Sequence, residues 1–104
     1  MALKTRPWDP TEYLETPEDI AGYIEAALAE GDPQLIAAAI GDVARARGMS
    51  QLARDTGLSR ESLYRALSGE GNPEFATVLR VLRALGVRLA AVPDELEHDA
   101  TAPA

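Results

Sequence analysis

At 104 residues the chain has room for one small domain with short extensions and a modest core. Its hydrophobic fraction is 46%, much of it Ala and Leu, and it has no Cys, which favours helices and excludes both a disulfide framework and a cysteine-ligated metal. The formal net charge of −7 sets the chain apart from uniformly basic nucleic-acid binders, and no apolar run approaches the roughly 18 residues of a membrane span.

The predicted elements begin at Asp9 and Pro10, a cap and first position for a short turn, with Trp8, Tyr13 and Leu14 available for packing. Thr16, Pro17 and Asp19 then mark a helix start in the manner of a capping box. Ile20, Tyr23, Ile24, Ala27 and Leu28 follow the i, i+3, i+4, i+7, i+8 pattern of one buried face, and Gly31 ends the helix. Asp32 and Pro33 start a second helix whose Leu35, Ile36, Ala39, Ile40 and Val43 are expected inward, up to Arg47 and Gly48.

A short helix over residues 49–56 is expected to bury Leu52 and Ala53, with Gly57 in a left-handed turn and Leu58 as an inward plug. Ser59 caps the next helix, with Leu63, Ala66 and Leu67 inward. Gly69, Glu70 and Gly71 break the chain. Asn72 and Pro73 start a last helix with Phe75, Val78, Leu79, Leu82 and Leu85 expected inward, stopped by Gly86. Residues 87–92 read as a short strand, and the acidic tail at 93–104 is expected to fray.

Residues 50–69 therefore combine a short helix, a glycine turn and a second helix. A helix-turn-helix needs a small residue where the helices cross, a turn glycine and an apolar lock, here Ala53, Gly57, and Leu58, Leu63 and Leu67. The outer face of the second helix then carries Arg60, Glu61, Tyr64 and Arg65 as candidate base readers. Arginine pairs in bidentate fashion with guanine O6 and N7, and glutamate accepts from cytosine N4. Ser59, Ser68 and the helix start at Met49 and Ser50 are candidate phosphate contacts.

Charge is segregated along the chain. Residues 1–44 hold two basic and nine acidic residues, a balance of −7. Residues 45–88 hold eight arginines and four acids, hence +4, and residues 89–104 hold four acids alone, hence −4. A basic centre between acidic ends suggests two surfaces for two partners.

These stretches resemble the addiction-module antidote proteins, HigA-like antitoxins with a Cro/CI-type (lambda repressor-like) helix-turn-helix. The resemblance runs over residues 8–92. It is carried by Trp8-Asp9-Pro10, Tyr13-Leu14, Ala-Leu-Ala-Glu-Gly-Asp-Pro at 27–33 and Gly-Asn-Pro at 71–73. Its most specific parts are Ala-Arg-Ala-Arg-Gly-Met-Ser-Gln-Leu-Ala at 44–53 and Thr-Gly-Leu-Ser-Arg-Glu-Ser-Leu-Tyr-Arg-Ala-Leu-Ser at 56–68. The resemblance implies an all-α fold of about five helices, a homodimer, repression of the protein's own operon, and neutralisation of a small RelE/ParE-like toxin. The tail beyond Pro93 has no counterpart in it.

No catalytic constellation is visible. His98 stands in a polar tail with no second ligand at metal spacing, and the serines lack a neighbouring His or a Gly-x-Ser-x-Gly setting. Gly69-Glu70-Gly71 follows a helix and lacks the glycine and lysine of a phosphate loop. Trp8, Tyr13, Glu18 and Tyr23 are candidate toxin-binding residues within the acidic N-terminal region; the plainer reading is core-edge packing for the aromatics and solvation for the acids. Arg80 and Arg83 are expected on the exposed side of the last helix, against DNA backbone or a dimer partner, or simply in solvent.

The expected organisation is an acidic extension and helix at 1–31, a DNA-binding domain at 32–92, and the tail at 93–104. The expected protein is a cytoplasmic, non-enzymatic antitoxin with no cofactor and no membrane partner. It dimerises, with residues 87–92 as the candidate contact, and binds double-stranded operator DNA and a toxin. A stand-alone regulator of the same fold and a protein-interaction adaptor without DNA binding are the alternatives.

Overall fold

The computed structural model describes residues 14–94, which form five α-helices: α1 Pro17–Glu30, α2 Pro33–Arg47, α3 Met49–Thr56, α4 Arg60–Ala66 and α5 Phe75–Ala84. The expected turn at Asp9 and Pro10, together with Trp8, Tyr13 and His98, lies outside these residues. Helices α1, α2 and α4 each start where a side chain relieves the orphan amides of the first turn. Thr16 caps α1 in a full capping box with Asp19, Asp32 caps α2 through the Gln34 amide, and Ser59 caps α4 through the Ser62 amide. Gly31 and Gly57 end α1 and α3 in the left-handed region, at φ 75° and 78°.

The core joins Ile20 and Ile24 of α1, Ile40, Val43 and Ala44 of α2, and Met49 and Leu52 of α3 to Leu63, Leu67, Val81, Leu82 and Leu85. α2 packs between α1 and α3, while α3 also packs on α4 and α5. That position buries α2 on more than one side, so Ala37, Gly41 and Ala44 are enclosed as well as the expected Ala39, Ile40 and Val43. Leu35 is 43% exposed, contrary to expectation, because it points away from that enclosed surface.

Three further expectations fail in the C-terminal part. α5 begins at Phe75, with Glu74 as its cap residue, and not at Asn72 and Pro73. Its inward face is Val78, Val81, Leu82 and Leu85. Phe75 (66% exposed) and Leu79 (38%) lie on an adjacent stripe of the helix, rotated out of the core. Residues 87–92 form no strand, since none of the described residues offers an extended neighbour to complete a ladder. Instead the Val87 amide donates to the Leu82 carbonyl at 2.9 Å, Val87 and Leu89 pack on the core, and Val92 is exposed.

Candidate nucleic-acid interface

The α3–turn–α4 unit is fixed from within by Thr56. Its hydroxyl donates to the Leu52 carbonyl at 2.8 Å and accepts from the Leu58 amide at 3.2 Å. One buried side chain thus finishes α3 and shapes the chain beyond Gly57. Arg80 of α5 donates to the Thr56 carbonyl at 3.3 Å, tying the same corner to the last helix. Leu63 and Leu67, both fully buried, anchor the inner face of α4, and Leu58 packs beside them. This apolar lock sets which face of α4 is turned outward.

That outward face carries Arg60, Glu61, Tyr64 and Arg65, all exposed. The Arg60 guanidinium lies 5.8 Å from the centroid of the Tyr64 ring, a cation–π distance. Glu61 and Arg65 stand one helical turn apart in an orientation that favours pairing. Neither Arg60 nor Arg65 forms an ion pair among the described residues, so both guanidinium groups are available to an outside acceptor. On α3, Gln51 donates to Asp55 at 2.9 Å and accepts from Arg54 at 2.8 Å, an exposed chain of polar groups beside α4 that the sequence reading did not single out. The only sequence signal for it is the i, i+3, i+4 spacing of Gln51, Arg54 and Asp55.

The four candidate phosphate contacts divide. Ser50 and Ser59 are exposed at the starts of α3 and α4, and Ser59 already accepts from the Ser62 amide and donates to the Ser62 hydroxyl. Met49 is buried, which leaves its side chain no part in such a contact, and no side chain caps the start of α3. Ser68 is exposed, but its hydroxyl donates to the Arg65 carbonyl and accepts from the Glu70 amide, which makes it the hinge of the turn after α4.

The acidic N-terminal candidates separate as well. Glu18 is exposed in the first turn of α1. Tyr23 is half-buried against the core, and its hydroxyl donates to Asp42 at 2.9 Å. Asp42 also pairs with Arg45 at 2.9 Å, so Tyr23 links α1 to α2 through a shared carboxylate. Its structural role is thus plain; Trp8 and Tyr13 lie outside the described residues. No group of acidic or histidine side chains suited to a metal occurs among the described residues, and no helix there is long and apolar enough to cross a membrane.

Comparison with known proteins adds to this geometry. A family model described as "Probable addiction module antidote protein" matches residues 4–93. An uncharacterized protein of Haemophilus influenzae is 50% identical over 88 residues, covering 85% of this chain and 91% of that protein. No solved structure matches the chain.

Proposed function

The chain belongs to the family of probable addiction module antidote proteins, and we propose that within it the chain acts as a DNA-binding antitoxin. In this reading α3 and α4 form a Cro/CI-type helix-turn-helix of the HigA-like kind. The protein represses its own operon and neutralises a RelE/ParE-like toxin in the cytoplasm. As a dimer it sets two α4 helices into successive major grooves, about 34–36 Å apart.

The observation that carries the DNA half is the outer face of α4. Two arginines without ion pairs among the described residues flank a carboxylate on a helix whose opposite face is locked in the core. Such a surface can present bidentate donors to guanine and an acceptor to cytosine. Non-specific binding would not favour Glu61, because a carboxylate near phosphates is repelled unless a base donor satisfies it. The acidic residues of α1, including Glu18, Asp19 and Glu25, lie on a different element and suit a basic partner.

Binding of the full chain to its own upstream DNA tests the reading. Arg60→Ala and Arg65→Ala should each remove about 1–3 kcal/mol of discrimination at one base pair, roughly 5–150-fold. Unchanged affinity and sequence preference in both variants would refute it. Co-expression with the adjacent reading frame, followed by pull-down and a growth assay, tests the toxin half.

A further inference from the structure

We propose that residues 88–92 are a strand edge without its neighbour, and that an extended segment of a basic protein partner pairs with it. The backbone carries the first argument. These residues run without helix, turn or bend, and none of their amides or carbonyls is hydrogen-bonded among the described residues. A row of unpaired backbone groups is a template for a second extended chain. Pro93 has no amide and ends the row.

The side chains already alternate as a strand's do. Val87 and Leu89 pack on the core, while Arg88 and Ala90 are exposed. That anchoring fixes beforehand which way the segment faces, so less freedom is lost when a partner pairs with it. Space is provided as well. An open cleft of about 380 Å³ runs along the segment, with Ala21, Gly22 and Glu25 of α1 as its other wall. A Cβ at Gly22 would meet nothing within 4 Å, so this wall leaves room for a chain to enter.

Charge selects the occupant. From Ala84 to the end of the sequence Arg88 is the one base against four acids, and Glu25 adds a carboxylate from the facing helix. A basic segment is attracted to such a surface, whereas a second copy brings a further net charge of −7. The second copy's own segment is also held to its core by Val87 and Leu89, beside its own α1, and is not free to enter the cleft. The inference rests on the antitoxin reading only for the partner's identity, and it gives the toxin a specific place to dock.

The test mixes the full chain with the purified product of the adjacent reading frame and follows amide hydrogen exchange by NMR. In the free chain the amides of residues 88–92 should exchange rapidly, while that of Val87, bonded to the Leu82 carbonyl, serves as a protected reference. In the complex every second amide of this segment should slow at least 100-fold, the pattern of pairing along one edge. Ala90→Pro and Ala91→Pro each remove one amide, and at least one of them should lower affinity tenfold or more. Gly22→Arg, which fills the cleft and adds a base, should do the same. All three positions are exposed, or line only the cleft, so helical circular dichroism should be retained. Unchanged affinity in all three variants, or a complex whose protected amides lie elsewhere, would overturn this proposal alone. So would protection of residues 88–92 that grows with the concentration of the free chain, since that assigns the edge to a second copy. Absence of any complex with the unmodified chain would overturn it together with the toxin half of the antitoxin reading.

Discussion

The guanidinium of Arg60 sits over the ring of Tyr64, one turn further along α4. Stacking on an aromatic face restricts a side chain that otherwise samples many rotamers, and it leaves the donor edge of the guanidinium open. If Arg60 reads a guanine, Tyr64 acts by holding it in place. Tyr64→Phe should then keep operator affinity, while Tyr64→Ala should weaken it by about 0.5–1 kcal/mol, the size of an exposed cation–π contact. Fluorescence anisotropy on the upstream DNA measures both. Equal losses in the two variants would assign the role to the phenolic hydroxyl instead.

Thr56 ties together the corner that α4 grows from. Its buried hydroxyl satisfies the Leu52 carbonyl and the Leu58 amide at once. Thr56→Val keeps the shape and removes both bonds, and should cost about 1–2 kcal/mol of stability in urea unfolding. Thr56→Ser keeps the hydroxyl and should lose less. The reverse order would mean that the Thr56 methyl, not its hydroxyl, holds the turn.

Two helical glycines should respond to alanine with opposite signs. A Cβ at Gly41 of α2 would collide with the Leu67 carbonyl oxygen and crowd the Leu67 Cβ, so the helices can approach only without it. At Gly22 of α1 a Cβ would meet nothing within 4 Å. Gly22→Ala should therefore stabilise by about 0.5–1 kcal/mol through helix propensity. Gly41→Ala should destabilise by about 1–3 kcal/mol despite the same propensity gain. Thermal melts of the two variants decide the matter; a stabilising Gly41→Ala would show that α2 and the end of α4 can separate at little cost.

These contrasts also mark what the residues alone disclose. Thr16 with Pro17, Asp32 with Pro33, and Ser59 place three helix starts, because capping is local chemistry written in adjacent side chains. Gly57 likewise announces its left-handed turn. The exposure of Phe75 and Leu79 was not legible, since an apolar stripe at helical spacing looks the same whether it meets the core or a partner. Residues 87–92 have a strand's composition, but a strand is completed only by a neighbour. Gly41 and the bond from Tyr23 to Asp42 depend on how two helices meet, which no single periodicity encodes. At the candidate interface the outward direction of Arg60, Glu61, Tyr64 and Arg65 was legible because Leu63 and Leu67 fix the opposite face.

The start of α1 carries a pH signature. The Asp19 carboxylate accepts from the Glu15 amide at 3.1 Å and the Thr16 amide at 3.2 Å, while the Asp19 amide donates to the Thr16 hydroxyl. These bonds, the Glu15 amide first, hold the carboxyl below its ordinary pKa. A depressed acid stabilises the fold fully above its unfolded value, about 4, and the contribution disappears as the pH falls through the lower folded value. Asp19→Asn removes the charge at every pH. The variant should therefore melt below the unmodified chain by a constant margin between pH 5 and 7, and that margin should shrink once the pH drops below about 4. Melting curves of both proteins across this range check it. A margin that persists unchanged to pH 2 would mean that the Asp19 side chain stabilises α1 through its shape and not through its ionised form.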